Sequence, residues 1–183
     1  MKIGLLGFGT VGQGIATILK QNQKLLESRT QTQFEIKAAL VRDLEKSKPL
    51  APPTLGLTTD PDTILNDPEI QIIIEVMGGN EPALAYIKKA LSQKKHVVTA
   101  NKAVIATHRS ELQELAEKNQ VNLYFEASVG GGIPIIRTLS IGYAANQIQS
   151  LYGILNGTTN YILTHMEREK KEYPQILKNE TIH

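Results

Sequence analysis

The sequence contains no cysteine and no tryptophan among its 183 residues, and aromatic residues make up only 5% of the chain. Without cysteine, the chain forms no disulfide framework, no cysteine-ligated zinc site and no thiolate nucleophile. The absence of cysteine also fits a reducing compartment, and we expect a cytoplasmic protein. No apolar run is long enough to span a bilayer, and glycines interrupt the apolar N-terminus too early for a signal peptide. We therefore expect no membrane partner.

The charges are nearly balanced, with 20 Lys and Arg residues against 18 Asp and Glu residues and a formal net charge of +2. A nucleic-acid-binding protein usually carries a basic stripe, whereas this sequence has no basic run longer than adjacent pairs such as Lys94-Lys95 and Lys170-Lys171. We therefore predict no nucleic-acid partner. The hydrophobic fraction of 41% is typical of a globular protein, and the length suggests one domain or one domain plus part of a second.

Segments typical of strands alternate with segments typical of helices along most of the chain. Apolar runs predict strands at residues 3–6, 34–41, 70–77, 96–99 and 121–125. Helical patterns begin near residue 11, after Asp60-Pro61, after Asn80-Glu81-Pro82 and near His108. Prolines and a glycine predict a loop at residues 43–58. The alternation predicts an α/β fold with a parallel sheet and helices on both faces.

The sequence changes character after Val129, where three glycines precede Ile133-Pro134. We place a domain boundary here, with a first domain at residues 1–130 and a second at residues 131–183. In the second part, residues 148–155 are predicted to form a strand and residues 158 to about 171 a helix.

The most informative local motif lies between the first predicted strand and the first predicted helix. It reads G-x-G-x-x-G and consists of Gly7, Phe8, Gly9, Thr10, Val11 and Gly12. In this setting the first glycine makes a tight turn, the second lets backbone approach a pyrophosphate, and the third lets helix and strand pack closely. The motif predicts a Rossmann-type dinucleotide-binding domain. The alternative interpretation is a glycine-rich turn without a ligand.

The end of the second predicted strand bears on the choice of cofactor. An Asp or Glu at this point would hold the ribose hydroxyl groups of NAD, whereas an Arg suits the 2′-phosphate of NADP. The strand ends at Arg42, which favours NADP, while the adjacent Asp43 argues the other way. An exposed, solvated charge is the alternative interpretation of Arg42.

Few residues in the sequence are candidates for chemistry. The lack of cysteine excludes dehydrogenases that work through a thiohemiacetal, which leaves direct hydride transfer. The four histidines form no metal-binding pattern, so structural or surface roles are expected for them. Lys102 follows a predicted strand at the edge where α/β sheets bind ligands, and it could hold an oxyanion or carry a proton. The alternative for Lys102 is an ordinary surface lysine.

Taken together, five segments resemble the homoserine dehydrogenase family. They occur in the family's order and read GLLGFGTVGQG (4–14), EVMGGNEPA (75–83), HVVTANKAVIA (96–106), EASVGGGIPII (126–136) and GILNGTTNYIL (153–163). The resemblance implies reversible, NAD(P)-dependent oxidation of L-homoserine to L-aspartate 4-semialdehyde, a step towards threonine, methionine and isoleucine. It also implies a homodimer, with the small-molecule substrate as partner.

The resemblance also assigns roles to individual positions. Gly7 to Gly12 would hold the pyrophosphate, Arg42 the adenosine ribose or its phosphate, and Gly78 would lie on the nicotinamide side. Lys102 matches the family lysine that faces cofactor and substrate. A sodium ion beside the hinge would be bound mainly by main-chain carbonyl oxygens, at the positions that match Glu126, Val129, Gly131 and Ile133.

The C-terminal residues depart from the family pattern. The family's substrate-binding carboxylates and proton-transferring lysine follow the NGTTNYI segment, whereas here residues 167–183 match neither element. We therefore expect a truncated chain, with a nearly complete cofactor domain and an incomplete α+β substrate and dimerisation domain. Three hypotheses fit: an N-terminal portion of a homoserine dehydrogenase, a non-catalytic NADP-binding module or degenerate paralogue, and a subunit that completes its active site with a partner chain.

Overall fold

The computed structural model describes residues 1–153 and 157–180. The chain divides into two compact units, Met1–Gly131 and Gly132–His183. The first unit contains a six-stranded sheet, and all of its strand pairs are parallel. The strands are β1 (Lys2–Leu6), β2 (Glu35–Leu40), β3 (Gly56–Thr58), β4 (Ile70–Glu75), β5 (His96–Thr99) and β6 (Leu123–Tyr124).

The strand order is β3-β2-β1-β4-β5-β6. The chain runs outward from β1 to β3 on one side, then crosses back and runs outward from β4 to β6 on the other. The order therefore reverses between β1 and β4, and a crevice opens beyond the carboxyl ends of strands at such a point. This topology confirms the predicted α/β fold with a Rossmann-type parallel sheet.

Helices cover both faces of the sheet. In the first unit they are α1 (Thr10–Gln21), α2 (Gln23–Thr30), α3 (Leu44–Ser47), α4 (Asp62–Leu65), α5 (Ala83–Ser92) and α6 (Lys102–Lys118). Successive residues of β1 point to opposite faces, as expected for a strand. Leu5 belongs to a smaller apolar cluster that includes Ile15 of α1, and Leu6 belongs to a larger one that includes Ile87 and Leu112. Both leucines are fully buried.

Two local predictions in the first unit were wrong. Residues 43–58 were expected to form a loop, yet they contain α3, a short 3₁₀ turn and the edge strand β3. β3 has only three residues and pairs with Ala38–Leu40 of β2, so its conformation depends on a partner and not on its own sequence. A helix was expected to begin near His108, but α6 begins six residues earlier because the Asn101 side chain caps it.

In the described residues of the second unit, 132–153 and 157–180, the regular elements are helices and helical turns. It contains a short helix α7 (Ile135–Arg137), a π-helical turn at Thr138–Gly142, and helices α8 (Gly157–Glu169) and α9 (Tyr173–Glu180). The predicted strand at 148–155 is wrong over residues 148–153, and residues 154–155 lie outside the described part. An apolar run becomes a strand only where another strand pairs with it, and the described residues of this unit offer none. None of the described helices is long and apolar enough to cross a membrane.

Candidate dinucleotide-binding site

The glycine loop begins where β1 ends, and Gly7 makes its turn. Gly7 has φ of +108°, a value that residues with a side chain rarely adopt. A Cβ added there would lie 3.0 Å from the carbonyl oxygen of Val76, just beyond the end of β4. The Gly7 N–H donates to the Leu40 carbonyl at 3.2 Å. The loop is therefore fixed between the ends of β2 and β4.

The other two glycines of the motif differ in what surrounds them. Gly12 is buried in the first turn of α1, and a Cβ added there would overlap the carbonyl oxygen of Gly7. Its missing side chain thus lets the helix pack directly on the loop. Gly9 has the opposite environment, because a Cβ there would meet no atom within 4 Å. The space above Gly9 is available to a ligand.

The N-terminus of α1 is suited to an anion. The helix begins at Thr10 after Gly9, has no side-chain cap and carries no acidic residue in its first turn. The first N–H groups of a helix have no partner within the helix, and they give its N-terminus a partial positive charge. The helix is twelve residues long and starts directly beside the space above Gly9. A phosphate or pyrophosphate is the ligand that this arrangement binds best.

A cavity of about 730 Å³ lies over the loop within the first unit. It brings together five of the residues singled out by sequence: Gly7, Phe8, Gly9, Arg42 and Gly78. The size is within the range of small-molecule sites. The side chain of Phe8 is buried in the core, so this residue contributes backbone to the cavity. Thr10, Val11 and Gly12 follow directly as the first turn of α1.

Arg42 and Asp43 sit at the end of β2 and also line the cavity. Asp43 caps α3, since its Oδ1 accepts the Lys46 N–H at 3.2 Å, and its Oδ2 lies 3.5 Å from Lys46 Nζ. Arg42 is exposed and makes no hydrogen bond or ion pair with the part of the chain that the structure describes. The carboxylate of Asp43, which argued against NADP, is thus bound to α3, whereas Arg42 lines the cavity as an exposed residue.

Lys102 lies apart from this cavity. It is the first residue of α6, directly beyond the carboxyl end of β5, and its side chain is exposed. Among residues 1–153 and 157–180 it has no hydrogen bond or ion pair. The prediction that Lys102 stands at the ligand-binding edge of the sheet matches its position, whereas its role stays a prediction.

Sequence reasoning missed a buried polar network at the same edge. It consists of Glu75, Thr99 and Asn101, which are among the few polar side chains buried in the first unit. The available signal was Glu75 itself, a single charged residue at the end of the strongly apolar run at residues 70–77. A charged side chain in such an apolar run is either buried with hydrogen-bond partners or belongs to a functional site.

The predicted sodium ligands fall in both units. Glu126 begins a 3₁₀ turn, and its carbonyl oxygen accepts the Val129 N–H at 3.1 Å, while Gly131 has φ of +62°. Ile133 belongs to the second unit. Their role as sodium ligands stays a prediction. No group of three or more His, Asp or Glu side chains able to hold a metal exists in the described residues.

The histidines take part in local contacts. The Nδ1 atom of His96 accepts the Asn122 N–H at 3.1 Å, and His108 and His165 lie beside the carboxylates of Glu111 and Glu169. His183 is outside the described residues. These contacts agree with the structural and surface roles expected from the sequence.

The strand order, the glycine loop against the start of α1, and the cavity above them define a Rossmann-type dinucleotide-binding domain. Comparison with known families gives the same class of domain and also identifies the family. The sequence-family model of the homoserine dehydrogenase NAD-binding domain matches residues 7–126. The family model of homoserine dehydrogenase matches residues 134–181. The chain belongs to the homoserine dehydrogenase family.

Individual relatives agree with this assignment. Over 97% of the chain, it is 46% identical to a homoserine dehydrogenase of Bacillus subtilis and 49% identical to one of Synechocystis. The crystal structure of a homoserine dehydrogenase from Thiobacillus denitrificans superposes on 98% of the chain with a TM-score of 0.93 and 42% identity. The chain spans about two fifths of these proteins, 41%, 40% and 41% of their respective lengths.

Proposed function

We propose that the first unit binds NADP in preference to NAD, and that the protein carrying this sequence oxidises L-homoserine reversibly to L-aspartate 4-semialdehyde. The observation that carries the proposal is the space above Gly9, bounded by the N-terminus of α1 and by Arg42. Membership of the homoserine dehydrogenase family, with its NAD-binding domain, supports the nicotinamide cofactor and the substrate. The exposed Arg42, without a carboxylate partner, supports the preference for a 2′-phosphate.

Different residues of the chain have different proposed roles in binding the cofactor and the substrate. The glycine loop and the first turn of α1 hold the pyrophosphate through main-chain N–H groups. Arg42 pairs with the phosphate on the adenosine ribose, and Gly78 lies beside the nicotinamide half. The bound nicotinamide supplies the hydride acceptor. Lys102 stands beyond β5 with an exposed ammonium group, suited to stabilise negative charge on the substrate oxygen.

Three further assignments belong to this proposal. We infer that residues 1–130 form the cofactor domain and residues 131–183 the start of the substrate domain. The family resemblance supports a homodimer in the cytoplasm. It also supports a sodium ion bound by the carbonyl oxygens at Glu126, Val129, Gly131 and Ile133. Sodium titration with potassium as control tests the last point, since an identical response to the two ions would contradict a specific site.

Cofactor binding and catalysis are tested separately, because the chain spans about two fifths of its relatives. NADPH is first titrated into the protein and into Gly9→Ala, while nicotinamide fluorescence is recorded. The added methyl group contacts no protein atom within 4 Å, so folding should be unchanged. We expect the wild type to bind and the variant to bind at least about tenfold more weakly. Equal affinities, or no binding by the wild type, would contradict the proposed site.

L-Homoserine and NADP are then added, and formation of NADPH is followed by absorbance. Turnover by this chain would show that the residues present complete the reaction. Binding without turnover would support a chain that binds the cofactor but needs further residues, and would favour the non-catalytic module as the description of these 183 residues.

A further inference from the structure

Glu75 is the last residue of β4, and its side chain is fully buried. Thr99 is its register neighbour on β5, and the Thr99 hydroxyl donates to Oε2 at 2.6 Å. The other oxygen, Oε1, accepts the Met77 N–H at 2.8 Å, with Asn101 Nδ2 at 3.5 Å. One buried carboxyl group therefore collects donors from the chain beyond both β4 and β5.

These contacts fix a turn that has little conformational preference of its own. Gly78 and Gly79 have φ of +75° and +76°, and consecutive glycines adopt many other conformations as readily. The turn is held at one end by the Met77 N–H on Glu75. At the other end it is held by Asn101 Nδ2, which donates to the Gly79 carbonyl at 2.6 Å. Because Met77 and Gly78 line the cavity, the network sets the shape of that wall.

The same network also fixes the start of α6. The Asn101 N–H donates to Thr99 Oγ1 at 3.0 Å, and its Oδ1 accepts the Val104 N–H at 3.3 Å, which caps the helix. Lys102 is the first residue of that helix. Through Thr99 and Asn101, the carboxyl group of Glu75 is thus connected to the cavity wall and to the position of Lys102.

We propose that Glu75 is a positioning residue for the nicotinamide half of the dinucleotide, acting through the Met77–Gly79 turn and Asn101. The inference rests on the proposed function. The sheet order separates the two halves of the ligand, because Arg42 follows β2 on one side of β1 whereas Glu75 and Thr99 end β4 and β5 on the other. A dinucleotide that crosses at the loop after β1 places its adenosine half towards Arg42 and its nicotinamide half towards Glu75.

The test compares two ligands on the full chain: NADPH, and adenosine 2′,5′-bisphosphate, which lacks the nicotinamide half. Glu75→Gln keeps the size of the side chain but leaves one of its donors without an acceptor. We expect Kd for NADPH to rise about tenfold, with a change in the fluorescence of the bound nicotinamide. Kd for adenosine 2′,5′-bisphosphate should stay unchanged. A role confined to general stability would weaken binding of both ligands equally, and that result would overturn the proposal.

A second pair of variants keeps the test decisive if Glu75→Gln does not fold. Thr99→Val retains the shape but loses the hydroxyl, and should repeat the selective loss of NADPH. Thr99→Ser restores the hydroxyl and should restore affinity. Glu35→Gln, an exposed strand glutamate at the amino end of β2, is the matched control and should bind like the wild type. If the wild type binds neither ligand, the proposed function fails; if it binds both and Thr99→Val matches it, only the role of Glu75 fails.

Discussion

The carboxyl ends of the strands form one side of the sheet, here called the carboxyl edge, and their amino ends form the opposite side, the amino edge. Each of the two buries one charged side chain, and the hydrogen-bond partners of these side chains differ. At the carboxyl edge, Glu75 accepts from neutral donors beside an open cavity. Arg42 lines this cavity and Lys102 begins α6 outside it, and neither exposed side chain has a hydrogen bond or ion pair in the described residues. At the amino edge, the buried ammonium group of Lys95 donates to the main-chain carbonyls of Asp67 and Ile70, the latter at 2.7 Å. Burial lowers the pKa of Lys95.

Four other charged residues at the amino edge, Lys2, Lys37, Asp67 and Glu69, form ion pairs with one another. Lys37 Nζ lies 2.5 Å from both Asp67 Oδ2 and Glu69 Oε2, and Lys2 Nζ lies 3.1 Å from Glu69. The hydrogen bonds from Lys37 lower the pKa of Asp67 and of Glu69, and those carboxylates raise the pKa of Lys37. At the amino edge these charged groups bind one another or main-chain carbonyls, which stabilises the fold, whereas at the carboxyl edge the side chains of Arg42 and Lys102 are available to a ligand.

The largest effect on stability and NADPH binding is expected at Gly12, where the glycine loop contacts α1. In Gly12→Ala the new methyl group overlaps the Gly7 carbonyl, so the loop must move. We expect a loss of about 1–3 kcal/mol in the free energy of unfolding, and NADPH binding weakened by at least about a hundredfold. Calorimetry measures the change in unfolding free energy, and fluorescence titration measures the change in NADPH affinity. Gly14→Ala, two residues along the same helix and in open space, should be about 1 kcal/mol more stable and bind normally.

The amino edge should show the reverse pattern, with stability lost and binding kept. Lys95→Ala removes the donor to two carbonyl groups and leaves a small cavity, which should cost about 2–3 kcal/mol in the free energy of unfolding. Urea unfolding measures the cost, and NADPH titration of the folded variant should give the wild-type Kd. The neighbouring exposed Lys94→Ala is the control. A selective loss of NADPH affinity in Lys95→Ala would contradict the assignment of stability to the amino edge and of ligand binding to the carboxyl edge.

At the carboxyl edge, Arg42 should affect the choice of cofactor and little else. Arg42→Ala is expected to weaken NADPH binding about tenfold, because a charge-assisted hydrogen bond to the 2′-phosphate is lost. Binding of NADH, which has no such phosphate, should not change. Paired titrations of NADPH and NADH measure the ratio, with Arg29→Ala, an exposed arginine on α2, as control. An equal effect on the two cofactors would refute the assignment of Arg42 to the phosphate.

The smallest effect on stability is expected for the partly exposed ion pairs of Lys37 with Asp67 and Glu69, and it should depend on pH. The lowered pKa values of Asp67 and Glu69 mean that their pairing with Lys37 stabilises the folded state above pH 4.5, the higher of their ordinary values. This contribution is lost as the pH falls through their folded values. The Tm difference between wild type and Lys37→Met should therefore be largest near neutral pH and shrink below pH 3.8.

The pH series for Lys37→Met needs a control for surface charge. Lys48→Met breaks the exposed pair between Lys48 and Glu45 and should change Tm less at every pH. NADPH affinity should be unaffected by either variant at neutral pH. A Tm difference for Lys37→Met that stays constant on acidification would show that the three charges at the amino edge do not stabilise the fold through pairing.

Much of the carboxyl edge was predictable from short-range patterns. The strands β1, β2, β4 and β5 follow from apolar runs, and the spacing of Gly7, Gly9 and Gly12 identifies the loop. Each of these signals lies within one segment, so no knowledge of neighbours is needed. The sequence by itself therefore determined the Rossmann-type sheet, the position of the glycine loop and, through five ordered segments, the family.

Only the tertiary structure decided which polar groups are engaged and which are available. The pairing of β3 with β2 and the contacts of Glu75 with Thr99 and Asn101 join residues 18 to 26 positions apart. Residues 148–153, predicted to belong to a strand, show the same dependence, since they form no strand without a partner. Hydrogen-bond partners of buried groups are set by how segments pack together, and that information is not present in any one segment.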